Sequence, residues 1–203
     1  MNTLTGYVRQ AATALRFLVL ATVVLGGAYP LAVFGAGQLV ASSRANGSLI
    51  YDAGGRPAAS ALLAQVAATA DGVQDPAWFH ARPSAANWDP AGSSASNLGP
   101  NEAKLQDGAN ANRNAVAAAE GVAPGQVPAD AVTTSGSGLD PQISVDYAML
   151  QVPRVARAHG LPEDAVRSLV EGRTGSGVPA FLGQPSVNVT LLNLDVAAAA
   201  GSK

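Results

Sequence analysis

From Phe17 to Ser43 the chain carries no charged residue. The apolar core of that run, FLVLATVVLGGAYPLAVFGAGQLV, is 24 residues long, Phe17 to Val40. As a helix rising ~1.5 Å per residue it spans ~36 Å, enough for a bilayer core of ~30 Å. Backbone groups in lipid must be satisfied within the segment, so a helix is the single-segment solution. A cleaved secretory signal is the competing reading, but its apolar region runs only ~7–15 residues. Gly26, Gly27 and Pro30 sit mid-span. Pro30 has no N–H to donate and should kink or loosen the turn before it. Glycines there also let a second helix approach closely, which favours a helix packed in a larger membrane complex.

The flanks set the expected orientation. Arg9, Arg16 and the amino terminus precede the run without an acid; Arg44 and Arg56 follow it, with Asp52 between. Lys/Arg counts nearly tie, and the amino terminus with the closeness of Arg16 tips the choice to N-terminus cytoplasmic. The expected organisation is α+β: a tail and transmembrane helix over residues 1–43, then one small mixed helix/sheet domain over 44–203, outside the cytoplasmic membrane. That second part has a net charge of −4, which argues against nucleic acid, whose binders present a basic face. The chain has no cysteine, so disulfides, thiolate metal sites and cysteine nucleophiles are excluded.

Within the domain, Ser48 to Tyr51 reads as a short strand and Asp52 to Gly55 as a turn. Pro57 to Val66 suits a strand or a helix equally. Residues 81–100 are too rich in Pro, Gly, Ser and Asn for regular structure. The aromatics Trp78, Phe79 and Trp88 mark the stretch as an ordered, packed loop. Asn101 to Glu120 reads as a helix stopped by Gly121. Ser144 is an N-cap for a helix with Val145, Ala148, Met149, Val152, Val155 and Ala156 on one face, interrupted at Pro153. A further helix starts with Pro162 at its first position and runs to about Glu171. Ser186 to Val196 alternates like a strand, with a phase slip near Leu191 that a bulge would explain.

Motifs for chemistry are absent. A phosphate loop needs GxxxxGK[ST], and neither Lys104 nor Lys203 has that context. Gly136-x-Gly138 and Gly175-x-Gly177 do not continue as GxGxxG, because Pro141 and Ala180 stand at the last position. Ser137 follows Ser135 rather than the glycine pattern of a nucleophile elbow. There is no zinc-helix motif and no aspartate in the phosphorylation motif of a P-type pump. His80 reads as a packed or capping histidine, and His159, ahead of Gly160, as a helix-end cap. Arg154 and Arg157 read as a solvated face, with an acidic partner as the alternative. A membrane-anchored extracytoplasmic enzyme would need His80, Ser137 and Asp140 to meet in space.

Several segments in order resemble the C subunit of the Kdp potassium-transporting ATPase: ANGSLI (Ala45 to Ile50), RPSA (Arg82 to Ala85), SNLGP (Ser96 to Pro100), VPADAVTTSGSGLDPQIS (Val127 to Ser144), LQVPRVARAHGL (Leu150 to Leu161) and VNVTLLNLD (Val187 to Asp195). The resemblance implies one transmembrane helix and an extracytoplasmic domain. It implies a non-catalytic accessory subunit of a complex that imports K+ at the expense of ATP. Its implied partners are a channel-like potassium-translocating subunit and a P-type ATP-hydrolysing subunit. The family's implied role is assembly, together with raising the ATP affinity of the hydrolysing subunit as a catalytic chaperone. ATP is thereby the implied cofactor, and the motif loops offer Ser96, Asn97, Gly99, Ser135, Gly136, Ser137, Gly138 and Asp140 to it. The chain departs from the family pattern at Ser93-Ser94-Ala95-Ser96-Asn97, where SGGSN is typical. It departs again at Gln142, where a His or acid is common, and at Ala81, where glycine precedes RPS.

Overall fold

A computed structural model describes residues 2–52, 54–68, 73–175 and 183–201. Ala53 of the expected turn, Gly177, Ala180 and Lys203 lie outside the described residues. The chain divides into two compact units, Met1–Ser48 and Leu49–Lys203.

The first unit is helical. Helix α1 (Asn2–Val23) passes through a five-residue π segment (Val24–Ala28) into α2 (Tyr29–Ala45). The loosened turn lies directly before Pro30, as its missing donor requires: the Tyr29 N–H reaches back five residues to the Val24 carbonyl. The helical ladder is broken again at Ala41. The end is tied down by Asn46, whose side-chain amide donates to the Gln38 Oε1 (3.0 Å) and the Ser42 carbonyl (2.8 Å). Among the described residues this is the one helix long and apolar enough to cross a membrane.

The second unit mixes helices with two short antiparallel pairs. Strands β1 (Leu49–Tyr51) and β2 (Pro57–Ser60) form a hairpin, with a register irregularity between Ile50 and Tyr51. Asp52 holds its turn: Oδ1 accepts from the N–H groups of Gly54 (2.8 Å) and Arg56 (2.9 Å). The rest of the segment to Val66 is turn and loop. Residues 81–100 contain no helix or strand, and Phe79 just before them is fully buried, so the loop is packed as its aromatics imply.

Helix α3 (Ala103–Glu120) ends on Gly121 in the left-handed conformation, where glycine carries no Cβ penalty. Strand β3 (Gln142–Ser144) leads into α4 (Val145–His159), and Ser144 caps it, its Oγ accepting from the Tyr147 N–H at 3.0 Å. Helix α4 runs unbroken through Pro153 to His159, so the expected interruption does not occur. Its buried stripe is Tyr147, Ala148, Gln151, Val152, Val155 and Ala156. That is an i, i+1, i+4, i+5 pattern facing the core. Helix α5 is Glu163–Arg173, and Pro162 is its N-cap rather than its first residue.

Only the start of the expected last strand is extended. Strand β4 (Ser186–Asn188) pairs with β3, and α6 (Val189–Gly201) follows at once. Asn188 explains the switch: its Oδ1 accepts from the Leu191 N–H at 3.1 Å, an N-cap bond that starts a helix. The phase slip near Leu191 is therefore a change of period from 2 to 3.6, not a bulge, and Val189, Leu192 and Val196 are fully buried on it. These residues, with Phe79 and the inward faces of α4 and α5, make the core.

Candidate functional site

The motif segments RPSA and SGSGLDP fold onto one another. Ser84 Oγ donates to the Gly138 carbonyl (2.7 Å), the Ser135 N–H to the Pro83 carbonyl (2.8 Å), and the Ser94 N–H to the Ser137 carbonyl (3.0 Å). Arg82 pairs with Asp140 at 3.1 Å. Ser135 is buried, and its Oγ accepts from the N–H groups of Gly138 (3.1 Å) and Asp140 (3.4 Å); Ser137 Oγ accepts from Leu139 N–H (3.1 Å). These donors, which an anion would need, are thus used within the turn.

Gly138 adopts φ +71°, and a Cβ built there would stand 2.6 Å from the Ser94 carbonyl oxygen. The glycine is needed because two backbones cross. The SNLGP loop is separate and more open. Ser96 and Asn97 are exposed, Asn97 has φ +53°, and the Gly99 N–H donates to Glu102 Oε1 at 2.9 Å.

A second polar assembly lies in the core, and sequence reading missed it. Arg154 is largely covered, its side chain 11% exposed, rather than solvated: Nε donates to Glu120 Oε1 (2.9 Å), one terminal nitrogen to the carbonyls of Pro76 and Trp78, and the other to Gln151 Oε1 (2.8 Å). The Glu120 side chain is 2% exposed. Gln151 in turn accepts from the His80 N–H at 2.7 Å and donates to the His80 carbonyl at 3.3 Å. One residue did carry a signal. Glu120 is the last residue of α3, where the helix dipole disfavours an acid and a nearby cation offsets that cost. Arg157, one position of the expected solvated face, is exposed.

Burial pushes the Glu120 carboxyl above its ordinary value, with Arg154 opposing, and pushes the Tyr147 phenol up as well. Burial, reinforced by Arg154, lowers His80 to about 4. Its Nε2 donates to the Asp75 carbonyl at 3.1 Å. His159 Nε2 donates to the Ala77 carbonyl at 2.9 Å, and its ring lies 4.5 Å from that of Trp78. Both histidines are therefore packing residues that fasten the 75–80 segment to α4 or to itself. His80, Glu120 and Tyr147 line a cleft of about 320 Å³ together with Trp88 and Val116.

The lowered His80 value has a thermodynamic consequence. The unfolded chain takes up the proton first, near the ordinary value of ~6.5. The stability His80 contributes is therefore complete above ~6.5 and is lost as pH falls towards 4. Between pH 7 and pH 5 the loss is about 2 kcal/mol. Thermal unfolding of the full chain in detergent, compared with His80→Gln at both pH values, should show the wild type losing more. Equal losses would mean that His80 titrates normally.

His80, Ser137 and Asp140 do not form a hydrolytic set, because each is engaged elsewhere: Asp140 with Arg82, Ser137 with its own turn, His80 with Asp75 and Gln151. Among the described residues no group of three His, Asp or Glu side chains could hold a metal ion.

The family model described as "KdpC: K+-transporting ATPase, c chain" matches residues 11–198. A potassium-transporting ATPase KdpC subunit of Kineococcus radiotolerans is 48% identical over 199 residues, covering 97% of each chain. One from Caulobacter vibrioides is 50% identical over 186 residues, 89% of this chain and 88% of the other. One from Myxococcus xanthus is 45% identical over 184 residues, 90% and 84%. The match runs through the apolar helix and through both interlocked motif loops, so the chain belongs to the KdpC family, the C chains of the K+-transporting ATPase.

Proposed function

We propose that the chain is a non-catalytic accessory subunit of an ATP-driven high-affinity potassium-import complex. Its helix holds it in the cell membrane, N-terminus cytoplasmic, and its domain lies outside. Its partners are the channel-like potassium-translocating subunit and the P-type ATP-hydrolysing subunit. The observation that carries the reading is the family match from residue 11 to residue 198. The geometry is consistent with it, since the polar motif residues serve the fold and His80, Ser137 and Asp140 are each engaged with other groups.

The same reading extends to nucleotide. The chain raises the ATP affinity of the hydrolysing subunit through assembly, as a catalytic chaperone, rather than by cradling phosphate in the SGSGLDP turn, whose Gly138, Leu139 and Asp140 N–H groups already have acceptors. If ATP does meet this chain, the exposed motif residues Ser96, Asn97, Gly136 and Ser137 are the ones within its reach.

Purification of the complex with and without this chain tests the proposal. Omission should cost co-purification of the other subunits, or raise the KM for ATP of whatever assembles. An intact complex with unchanged potassium-stimulated ATP hydrolysis would overturn it. A compartment-reporting tag after Lys203 tests the orientation: a cytoplasmic signal would reverse it and would reopen direct ATP contact at Ser96 and Asn97.

A further inference from the structure

The cleft along α3 holds polar groups without partners. Tyr147 lines it and is 2% exposed, yet its hydroxyl makes no hydrogen bond among the described residues. The second oxygen of Glu120 is in the same position: Arg154 Nε takes Oε1 only, and the side chain is 2% exposed. Among the described residues the sealed side-chain polar atom without a partner is Arg82 Nε. The Tyr147 hydroxyl and the free Glu120 oxygen are therefore not sealed, and the cleft they line is their opening. Burial first, and then the Glu120 charge, pushes the Tyr147 phenol up, so the two groups lie close and the phenol keeps its proton. Covered polar groups are nearly always paired, and two unpaired ones at one cleft mark a place that receives a polar ligand.

The rest of the wall says what kind of ligand. Gln74 exchanges two bonds with the Ala81 backbone, at 2.8 and 3.3 Å. Asn112 donates to the Val132 carbonyl at 3.3 Å, which leaves its oxygen. His80 donates through Nε2 to the Asp75 carbonyl, which leaves a lone pair on Nδ1. Each Arg154 nitrogen already donates within the fold. The balance on the cleft wall is thus towards acceptors. Trp88 supplies an apolar surface and sits at φ +55°, a left-handed backbone that a bulky residue rarely adopts. Two bonds hold it there, from its N–H to Ser84 Oγ and from its indole Nε1 to the Arg82 carbonyl, both at 3.1 Å. Strain of this kind collects at ligand clamps.

We propose that this cleft binds a small primary amine, its ammonium donating to Glu120 and Tyr147 and its apolar body lying against Trp88 and Val116. An ammonium brings several N–H donors and no acceptor, which matches an acceptor-rich wall, and an indole face attracts it. A cleft of about 320 Å³ is of small-molecule size. Arg154 already pairs with Glu120, so recognition rests on the number of donors rather than on net charge.

Benzylamine is the probe, and benzyl alcohol, the same body with a single donor, is its control. The chain has two tryptophans, Trp78 and Trp88, so the full chain in detergent, isotope-labelled at tryptophan nitrogen, gives an indole N–H signal for each. Benzylamine should move the Trp88 signal saturably, leave that of Trp78 in place, and bind several-fold more tightly than benzyl alcohol. Tyr147→Phe deletes only an unbonded hydroxyl, so it should melt with the wild type while binding benzylamine several-fold more weakly. Ala115→Phe fills the cleft from an exposed position on its wall and should abolish the Trp88 shift; it decides the matter if Tyr147→Phe does not fold. A Trp88 signal that does not saturate, or that moves together with Trp78 as the amine dissolves in the micelle, overturns the proposal. Equal binding of amine and alcohol overturns it, as does a Trp88 shift that survives Ala115→Phe.

Discussion

Replacing Gly138 by alanine is expected to destabilise the full chain by at least about 3 kcal/mol, combining the left-handed backbone penalty with overpacking. The added Cβ would meet the Ser94 carbonyl oxygen at 2.6 Å and the Ala86 Cβ at 2.8 Å, and the first of these is backbone, which cannot swing aside. Relief requires parting the 84–94 segment from the SGSGLDP turn, which breaks the bonds from Ser84 to Gly138 and from Ser94 to Ser137. Gly136, two residues away in the same motif, has open space around its Cβ position. Its alanine variant should stay within about 0.5 kcal/mol of wild type. Urea unfolding of both variants in detergent separates the cases. Equal midpoints would mean that the two loops do not cross as described.

Arg154→Met is expected to cost about 3–5 kcal/mol, because it leaves Glu120 buried without a cation. It also strands the carbonyls of Pro76 and Trp78. Two further readings tie the effect to Glu120 rather than to lost packing. Adding Glu120→Gln should restore part of the loss, since an amide needs no counter-charge; coupling of about 0.5–3 kcal/mol is usual for such neighbours. Without Arg154 the carboxyl rises further above its already raised value. A group raised in the folded state stabilises below its unfolded value and loses that contribution as pH rises. The deficit of Arg154→Met should therefore shrink from pH 7 to pH 5. A deficit that ignores both pH and Glu120→Gln would reduce Arg154 to a space-filler.

Local signals were the legible ones. Gly121 after a polar, alanine-rich stretch, Ser144 before an apolar stripe, and Pro162 ahead of two acids each marked a helix boundary within a residue or two. Pro30 marked the π segment because its effect on the preceding turn is covalent. The 186–196 segment misleads because valine suits strands and buried helices alike, and Asn188 in an alternating stretch fits a strand as readily as the cap it is. Arg154 was misplaced for a different reason. Its partners, Glu120, Pro76 and Trp78, are 34 or more residues away in sequence, and no local pattern announces such a meeting. The motif loops were visible as motifs, but that they interlock, and that their donors are spent on each other, depends on the same distant pairing.

The α6 segment also bears on how the domain is made. Asn188 donates to the Ala61 carbonyl, Thr190 to the Leu63 carbonyl, and Asn193 both donates to the Phe79 carbonyl and accepts from its N–H. Those partners lie 114 to 127 residues earlier. Contacts of such separation form late, because a long loop must close before they repay it. During synthesis the strip from Ala61 to Phe79 emerges well before the segment that closes over it. The carbonyls of Ala61, Leu63 and Phe79 and the Phe79 ring then wait uncovered until nearly the whole domain has been translated. Nascent chains stalled before Ser186 should thus be open to proteases and chaperones, and the domain's release as a closed body is timed by its last helix.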